Sequence, residues 1–157
     1  MKTAFLFPGQ GSQAQGMLAE SAEAVAKTFE EASEALGYDL WALVQKGPVE
    51  QLNQTEFTQP ALLTASIALW RLWTQAGGTA GFVAGHSLGE YSALVASHVL
   101  SLTDAVRVVQ KRGQLMQAAV PLGAGGMAAV MGLEDDEIIA ACRQATLDVE
   151  SGSVQPA

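Results

Sequence analysis

The sequence has little cysteine, little basic charge and no long apolar run, and each shortage excludes a class of protein. Cys142 is the only cysteine in 157 residues, so neither an internal disulfide nor a metal site of several thiolates can form. Eight Lys and Arg residues oppose sixteen Asp and Glu residues, and a net charge of −8 argues against nucleic acid as a partner. The apolar run Thr3–Phe7 is too short for a signal peptide or a membrane span. We therefore expect a soluble, cytoplasmic protein.

The composition is that of a globular protein. Apolar residues make up 49% of the chain and charged residues only 15%. The single cysteine lies next to Ile138, Ile139 and Ala141, so we expect Cys142 to be a small apolar residue buried on a helix.

Apolar periodicity and turn residues predict an α/β protein. The predicted elements are a buried strand over Thr3–Phe7, helices over Met17–Leu36 and Leu40–Val44, a buried helix over Ala61–Gln75 opened by Pro60, a strand over Phe82–Ala84, a helix after it to about Val99, a helix over Thr103–Val120, a linker over Pro121–Gly126, a strand over Met127–Met131, a helix over Glu134–Thr146 and a loop from Asp148.

The last predicted elements are too few to form a core. Residues 127–157 supply one strand, one helix and a stub, which cannot bury a face on their own, whereas a stable unit normally needs three or more strands. We therefore expect the chain to be a fragment, or part of a larger folded molecule.

A nucleophilic serine is predicted in Gly85-His86-Ser87-Leu88-Gly89, which fits the G-x-S-x-G pattern between a strand and a helix. A sharp strand-to-helix turn exposes the hydroxyl of Ser87, and the flanking glycines allow backbone and helix to approach closely. The start of the following helix offers unpaired N–H groups for a developing oxyanion, with that of Leu88 as the expected first donor.

Neither histidine of the chain is a convincing general base for this serine. His86 is its neighbour, and adjacent residues at such a turn point to different sides. His98 follows eleven residues later, which is roughly 16 Å along a helix. We expect structural roles for both, and the missing base is a second reason to expect an incomplete chain.

Arg112 stands out on a helical wheel of Thr103–Val120 because it falls within the apolar stripe. The members of that stripe are Ala105, Val108, Val109, Leu115, Met116 and Ala119. An unpaired buried guanidinium is prohibitively costly, so Arg112 needs a partner. A structural ion pair, a side chain that reaches solvent, and a two-point grip on a ligand carboxylate all remain open from the wheel alone.

Several strings resemble the bacterial malonyl-CoA:acyl-carrier-protein transacylases, the free-standing enzymes of fatty acid synthesis. The strings are Phe5-Leu-Phe-Pro-Gly-Gln-Gly-Ser-Gln13, Thr58-Gln-Pro-Ala61, Gly85-His-Ser-Leu-Gly-Glu-Tyr91, Lys111-Arg-Gly-Gln-Leu-Met116 and Gly126-Met-Ala-Ala-Val-Met-Gly132. They occur in order over essentially the whole chain, which therefore resembles the N-terminal half of such an enzyme.

The resemblance implies a hydrolase-like parallel-sheet subdomain over residues 1–121 and the truncated start of an inserted ferredoxin-like subdomain over 122–157. It implies that Ser87 accepts malonyl, that the N–H groups of Gln10 and Leu88 form the oxyanion hole, and that Arg112 binds the malonate carboxylate. Gln59 would line the same cleft. The family's catalytic histidine, and a glutamine that assists it, would lie beyond position 157.

The implied reaction transfers malonyl from malonyl-CoA to acyl-carrier protein, without a metal or other cofactor. A C-terminal remainder of the same protein is a further implied partner. Arg107 and Lys111 are weak candidates for docking the acidic carrier, although an ordinary solvated helix face is the favoured interpretation. The alternatives are a serine hydrolase or thioesterase, which leaves the Gln10 string and Arg112 unexplained, and an inactive fragment without its histidine.

Overall fold

The computed structural model describes residues 3–119 and 130–150, and it confirms the α/β class. The elements are β1 (Ala4–Phe7), a 3-10 turn (Ala19–Ser21), α1 (Ala22–Leu36), α2 (Leu40–Lys46), α3 (Val49–Leu52), α4 (Thr55–Gln75), β2 (Phe82–Gly85), α5 (Leu88–Ala96), α6 (Leu102–Ala119) and α7 (Asp135–Glu150). The predicted linker 121–126, most of the predicted strand 127–131 and the end of the chain lie outside the described residues; Val130 and Met131 are not in a strand.

The two strands pair in parallel, with Ala4 opposite Phe82 and Phe7 opposite Gly85. Their carboxyl ends therefore meet at one edge, and the N–H of His86 donates to the carbonyl of Phe7 at 3.2 Å just beyond that edge. The expected burial of the first strand is wrong for most of its length, because Phe7 is buried whereas Leu6 is 72% exposed. Successive side chains of a strand point to opposite faces of the sheet. No described element covers the face that bears Leu6, so only the opposite face of this two-stranded sheet is buried.

Helix α4 forms the centre of the first compact unit, Met1–Ala119. Residues 58–68 of this helix are buried, as expected from its apolar composition, and α1, α5 and α6 pack around it. The largest fully buried side chains include Phe29, Leu40, Leu52, Leu63, Ile67, Leu88, Val106 and Val109.

The predicted start of α4 is wrong. The helix begins at Thr55, and Pro60 lies inside it rather than at its first position. Proline removes one backbone donor from a helix. Upstream of the proline, the Thr58 hydroxyl donates to the carbonyls of Leu52 and Gln54, and Thr58 itself is fully buried. Packing of this first turn therefore outweighs the local preference of proline for a helix start.

Two helix ends have the predicted caps, whereas α1 begins at Ala22 rather than at Met17, after the 3-10 turn Ala19–Ser21. Gly37 closes α1 with φ 77°, which favours glycine. At the start of α6 the N–H of Asp104 donates to the Ser101 hydroxyl at 3.0 Å, as expected of a capping serine.

The second compact unit, residues 120–157, is described through α7. The helix extends to Glu150, so the loop predicted from Asp148 is wrong. The prediction of a buried Cys142 is also wrong, because this residue is exposed. Apolar neighbours indicate an apolar helix face, but within residues 130–150 there is no second element to cover it.

No helix within the described residues is long and apolar enough to cross a membrane.

Candidate active site

Ser87 occupies a strained position between β2 and α5. Its φ of 53° and ψ of −109° lie outside the regions that non-glycine residues normally adopt. Such conformations cost about 1–3 kcal/mol and persist where surrounding structure imposes them, often at functional sites. The turn is therefore the sharp strand-to-helix elbow that the sequence pattern predicts, with Ser87 partly buried at its apex.

The two glycines around the serine are required by close backbone contacts. A Cβ on Gly85 would collide with the carbonyl of Gly89, and a Cβ on Gly89 would collide with the carbonyl of Phe7. The tight turn and the approach of α5 to the end of β1 are possible because Gly85 and Gly89 have no Cβ.

The loop after β1 lies directly against the serine turn. A Cβ on Gly9 would lie 2.9 Å from Nδ1 of His86, which places the neighbouring Gln10 beside the elbow. The side chain of Gln10 donates to the Thr55 hydroxyl at 3.3 Å.

Two backbone donors near the serine are left without an acceptor among the described residues. The N–H groups of Gly89 and Glu90 turn back to the carbonyls of His86 and Ser87. The N–H groups of Leu88 and Gln10 donate to no described residue. Free donors at a helix start and in an adjacent loop suit an oxyanion.

Arg112 reaches the serine from α6. Its Nη2 donates to Oγ of Ser87 at 3.0 Å, and its Nη1 donates to Oε1 of Gln59 at 2.9 Å. The guanidinium carbon lies 5.9 Å from the centroid of the Tyr91 ring, within range of a cation–π contact. The structure thus brings together Ser87 from the β2–α5 turn, Arg112 from α6 and Gln59 from α4.

The two polar partners of Arg112 are both neutral. Among the described residues the ion pair present joins Arg71 to Glu31 at 2.7 Å, and no carboxylate pairs with Arg112. Of the three alternatives left open by the helical wheel, the structural ion pair therefore finds no support in the described chain. Arg112 is partly buried, with a positive charge that its hydrogen bonds do not neutralise.

The predicted apolar stripe of α6 is only partly right. Ala105 and Val109 are buried as expected, but Val108 and Leu115 are 45% and 59% exposed, and Ala119 is exposed too. The buried face is shifted toward Leu102, Val106 and Gly113. Arg112 and Met116 lie at the margin of this face, and both are partly buried.

Gly113 is a helix-packing position next to Arg112 that the sequence analysis missed. A Cβ there would lie 2.5 Å from Cα of Glu56 and 2.7 Å from the carbonyl oxygen of Thr55, so glycine allows α6 to touch the backbone of α4. A glycine in a helix interior costs about 1 kcal/mol relative to alanine, and this cost is the signal that could have identified it.

Neither the two histidines nor the basic residues Arg107 and Lys111 form a hydrogen bond with Ser87 among the described residues. His86 and His98 are exposed, and within the described chain neither forms a hydrogen bond with Ser87. His98 has φ 62° at the end of α5. Nε of Arg107 donates to the carbonyl of Ala35 at the end of α1, which favours a structural role, while Lys111 is exposed. Docking of a carrier protein at these two residues stays a prediction.

A strained serine elbow beside free N–H donors and a cation is an arrangement suited to acyl transfer. In agreement, the family model described as acyl transferase domain matches residues 4–153. The chain belongs to this family.

The named relatives are more specific. The chain is 62% identical over 145 residues to the malonyl CoA-acyl carrier protein transacylase of Salmonella typhimurium, covering 90% of this chain and 47% of that protein. A solved acyl carrier protein S-malonyltransferase from Vibrio cholerae has 61% identity and a TM-score of 0.82, over 92% of this chain and 49% of its own. A solved structure of a type II PKS acyl-carrier protein in complex with its malonyl-transacylase contains a chain that is 55% identical to this one, with a TM-score of 0.84. The match covers 92% of this chain and 48% of the chain in that structure. The chain thus spans about half the length of the relatives it matches.

Proposed function

We propose that this chain belongs to a cytoplasmic transacylase that moves malonyl from malonyl-CoA to the phosphopantetheine thiol of acyl-carrier protein. The observation that carries the proposal is the 3.0 Å hydrogen bond from Arg112 to Ser87, made by a guanidinium with no carboxylate partner among the described residues. The names of the relatives agree with it, and one solved relative is held in complex with an acyl-carrier protein.

The geometry fits a malonyl group because the charge lies next to the nucleophile. In a malonyl ester of Ser87 the free carboxylate carbon is three bonds from Oγ, and the guanidinium already contacts that oxygen. The planar fork of arginine matches a carboxylate with two parallel hydrogen bonds. An acetyl group lacks this carboxylate and would leave the cation unpaired.

The reaction proceeds in two steps, acylation of Ser87 and transfer of the acyl group to the carrier thiol. Oγ of Ser87 attacks the thioester carbonyl, the C–S bond breaks, and CoA leaves as the thiol with the serine proton. The carrier thiol then attacks the acyl-serine, the C–O bond breaks, and the proton returns to Ser87. The N–H groups of Gln10 and Leu88 hold the oxyanion, and a histidine that the family resemblance places beyond position 157 moves the proton.

We also propose a boundary between subdomains 1–121 and 122–157, hydrolase-like and ferredoxin-like respectively. The division into compact units after Ala119 supports the position of this boundary.

Arg112→Ala and Arg112→Lys test the proposal. Alanine should weaken malonyl-CoA binding by at least about tenfold and leave acetyl-CoA within about twofold, since a charge-assisted bond contributes roughly 1.5–3 kcal/mol. Lysine should recover only part of the loss because it lacks the fork. Titration calorimetry in a Ser87→Ala background, in which no acyl-serine can form, provides the dissociation constants, with Lys111→Ala as the matched exposed control on the same helix.

The acceptor is tested separately. Malonyl-CoA consumption with phosphopantetheinylated carrier protein is compared with consumption in water alone. Faster consumption with the carrier, with malonyl appearing on its thiol, supports a transacylase. Consumption that is equal with and without the carrier would instead indicate a thioesterase.

A further inference from the structure

The side-chain amide of Gln59 is fully buried, and its hydrogen bonds are made within the protein, without a substrate. Its side chain lies at 0% exposure on α4, with Oε1 accepting from Nη1 of Arg112 at 2.9 Å. Its Nε2 donates to the sulfur of Met116 at 3.3 Å. Both ends of the amide are therefore engaged by side chains of α6.

The two contacts fix the orientation of the amide. A guanidinium only donates hydrogen bonds, and a thioether sulfur only accepts them. Turning the amide over would place its NH₂ group against the Arg112 donors and its oxygen against the Met116 sulfur, so both bonds would be lost. Met116 therefore reinforces the orientation that presents a carbonyl oxygen to Arg112.

The same helix crossing brings the residues of this arrangement together. Arg112 and Met116 are four residues apart and therefore share one face of α6. Gly113 between them lies against the Thr55–Glu56 backbone one turn before Gln59. The close approach of the two helices at Gly113 therefore holds the backbone that bears Arg112 and Met116 next to Gln59.

The Gln59 amide that accepts from Arg112 is neutral, and this affects the net charge of the site. A carboxylate at position 59 would also orient Arg112, but it would form an ion pair and compensate the positive charge. A carbonyl oxygen orients the guanidinium while leaving its formal charge for an incoming anion.

We propose that Gln59, with its amide oriented by the Met116 sulfur, is the positioning residue for Arg112 and determines the preference for a carboxylate-bearing acyl group. This inference rests on the proposed function. It assigns Gln59 to the cation rather than to the substrate itself, and it gives Met116 a role beyond packing.

Two substitutions in the full chain test the proposal. Gln59→Glu keeps the shape and adds a charge, and it should weaken malonyl-CoA binding by at least about tenfold while acetyl-CoA stays within about twofold. Met116→Leu removes the sulfur acceptor but keeps the apolar volume, and it should lower the malonyl preference in the same direction by about threefold. The readout is the ratio of the two dissociation constants, measured in a Ser87→Ala background so that no acyl-serine forms, and a loss of overall stability would not change this ratio selectively.

The controls repeat each substitution away from the site. Gln75→Glu places the same new charge on the exposed end of α4, and Met131→Leu makes the same change at an exposed position. Both should keep the wild-type ratio. Unfolding midpoints by circular dichroism identify any variant that is not folded at the assay temperature.

The outcomes separate the two proposals. No malonyl preference in the wild-type chain would overturn the proposed function. A wild-type preference that survives both Gln59→Glu and Met116→Leu would overturn the positioning role alone. A Gln59→Glu variant that weakens malonyl-CoA and acetyl-CoA binding equally would leave the preference unchanged and would overturn the positioning role too.

Discussion

Arg112 and Gln59 show how residue type and burial together define a site. An arginine among apolar neighbours is visible in the sequence, and the structure gives it two neutral partners. Gln59 was reached only through a family string, because a glutamine in an apolar helix has no pattern of its own. The contact of Met116 with that amide could not be predicted, since the wheel assigns Met116 to the apolar stripe without naming what it touches.

Tyr38 offers a residue-scale prediction about pH. Its hydroxyl is buried without a hydrogen-bond partner among the described residues, and burial, with a smaller effect of Glu56, raises its pKa. The folded state therefore retains the proton at a pH where the unfolded state, with a pKa of about 10, has lost it. Ionisation favours the unfolded state, so stability falls as the pH rises above about 10 and is unaffected by this group well below that value.

Tyr38→Phe should remove this loss of stability at high pH. Because it also deletes an unpaired buried hydroxyl, we expect the variant to be as stable as the wild type at neutral pH, or more stable by up to about 1 kcal/mol. Urea unfolding at about pH 8 and at about pH 11, on either side of the ordinary tyrosine pKa, measures both effects. A variant that loses as much stability as the wild type at the higher pH would contradict this explanation.

At the scale of elements, the sequence predicts helices and strands where side-chain periodicity is strong and fails where backbone packing decides. The serine elbow and the caps at Gly37 and Ser101 were predictable because each has a local physical signal. The start of α4 was not, since proline has a local preference that tertiary contacts override. The exposure of Leu6 and Cys142 depends on which elements cover them, which no local pattern encodes.

Gly113→Ala tests the importance of the α4–α6 contact. Alanine favours an isolated helix by about 1 kcal/mol, so propensity alone predicts stabilisation. The added Cβ would lie 2.5 Å from Cα of Glu56, and overpacking of this kind typically costs about 1–3 kcal/mol. We expect net destabilisation together with weaker malonyl-CoA binding, because the helix that bears Arg112 must shift.

Denaturant unfolding and titration calorimetry measure these two effects of Gly113→Ala. Lys111→Ala on the same helix is exposed and should leave both nearly unchanged. A Gly113→Ala variant that is more stable than the wild type would refute the close approach of the helices.

At the scale of the whole molecule, the chain holds a compact first unit around α4 and a second unit described through α7. The α/β class and the family followed from the sequence, because the motifs lie on elements whose type is locally determined. The nature of the second unit did not, since one helix with no buried residue among those described defines no core. The elbow, the free donors and the cation all lie within the first unit, so the residues proposed to accept and select the acyl group belong to that unit.

The central claim is that Ser87 accepts an acyl group that Arg112 selects by its carboxylate. Intact-protein mass spectrometry after incubation with malonyl-CoA, and separately with acetyl-CoA, tests it most directly. We predict a malonyl adduct that maps to Ser87, no comparable acetyl adduct, and no adduct on a Ser87→Ala variant. Equal labelling by the two thioesters would contradict the role of Arg112, and an adduct elsewhere or none at all would contradict the role of Ser87.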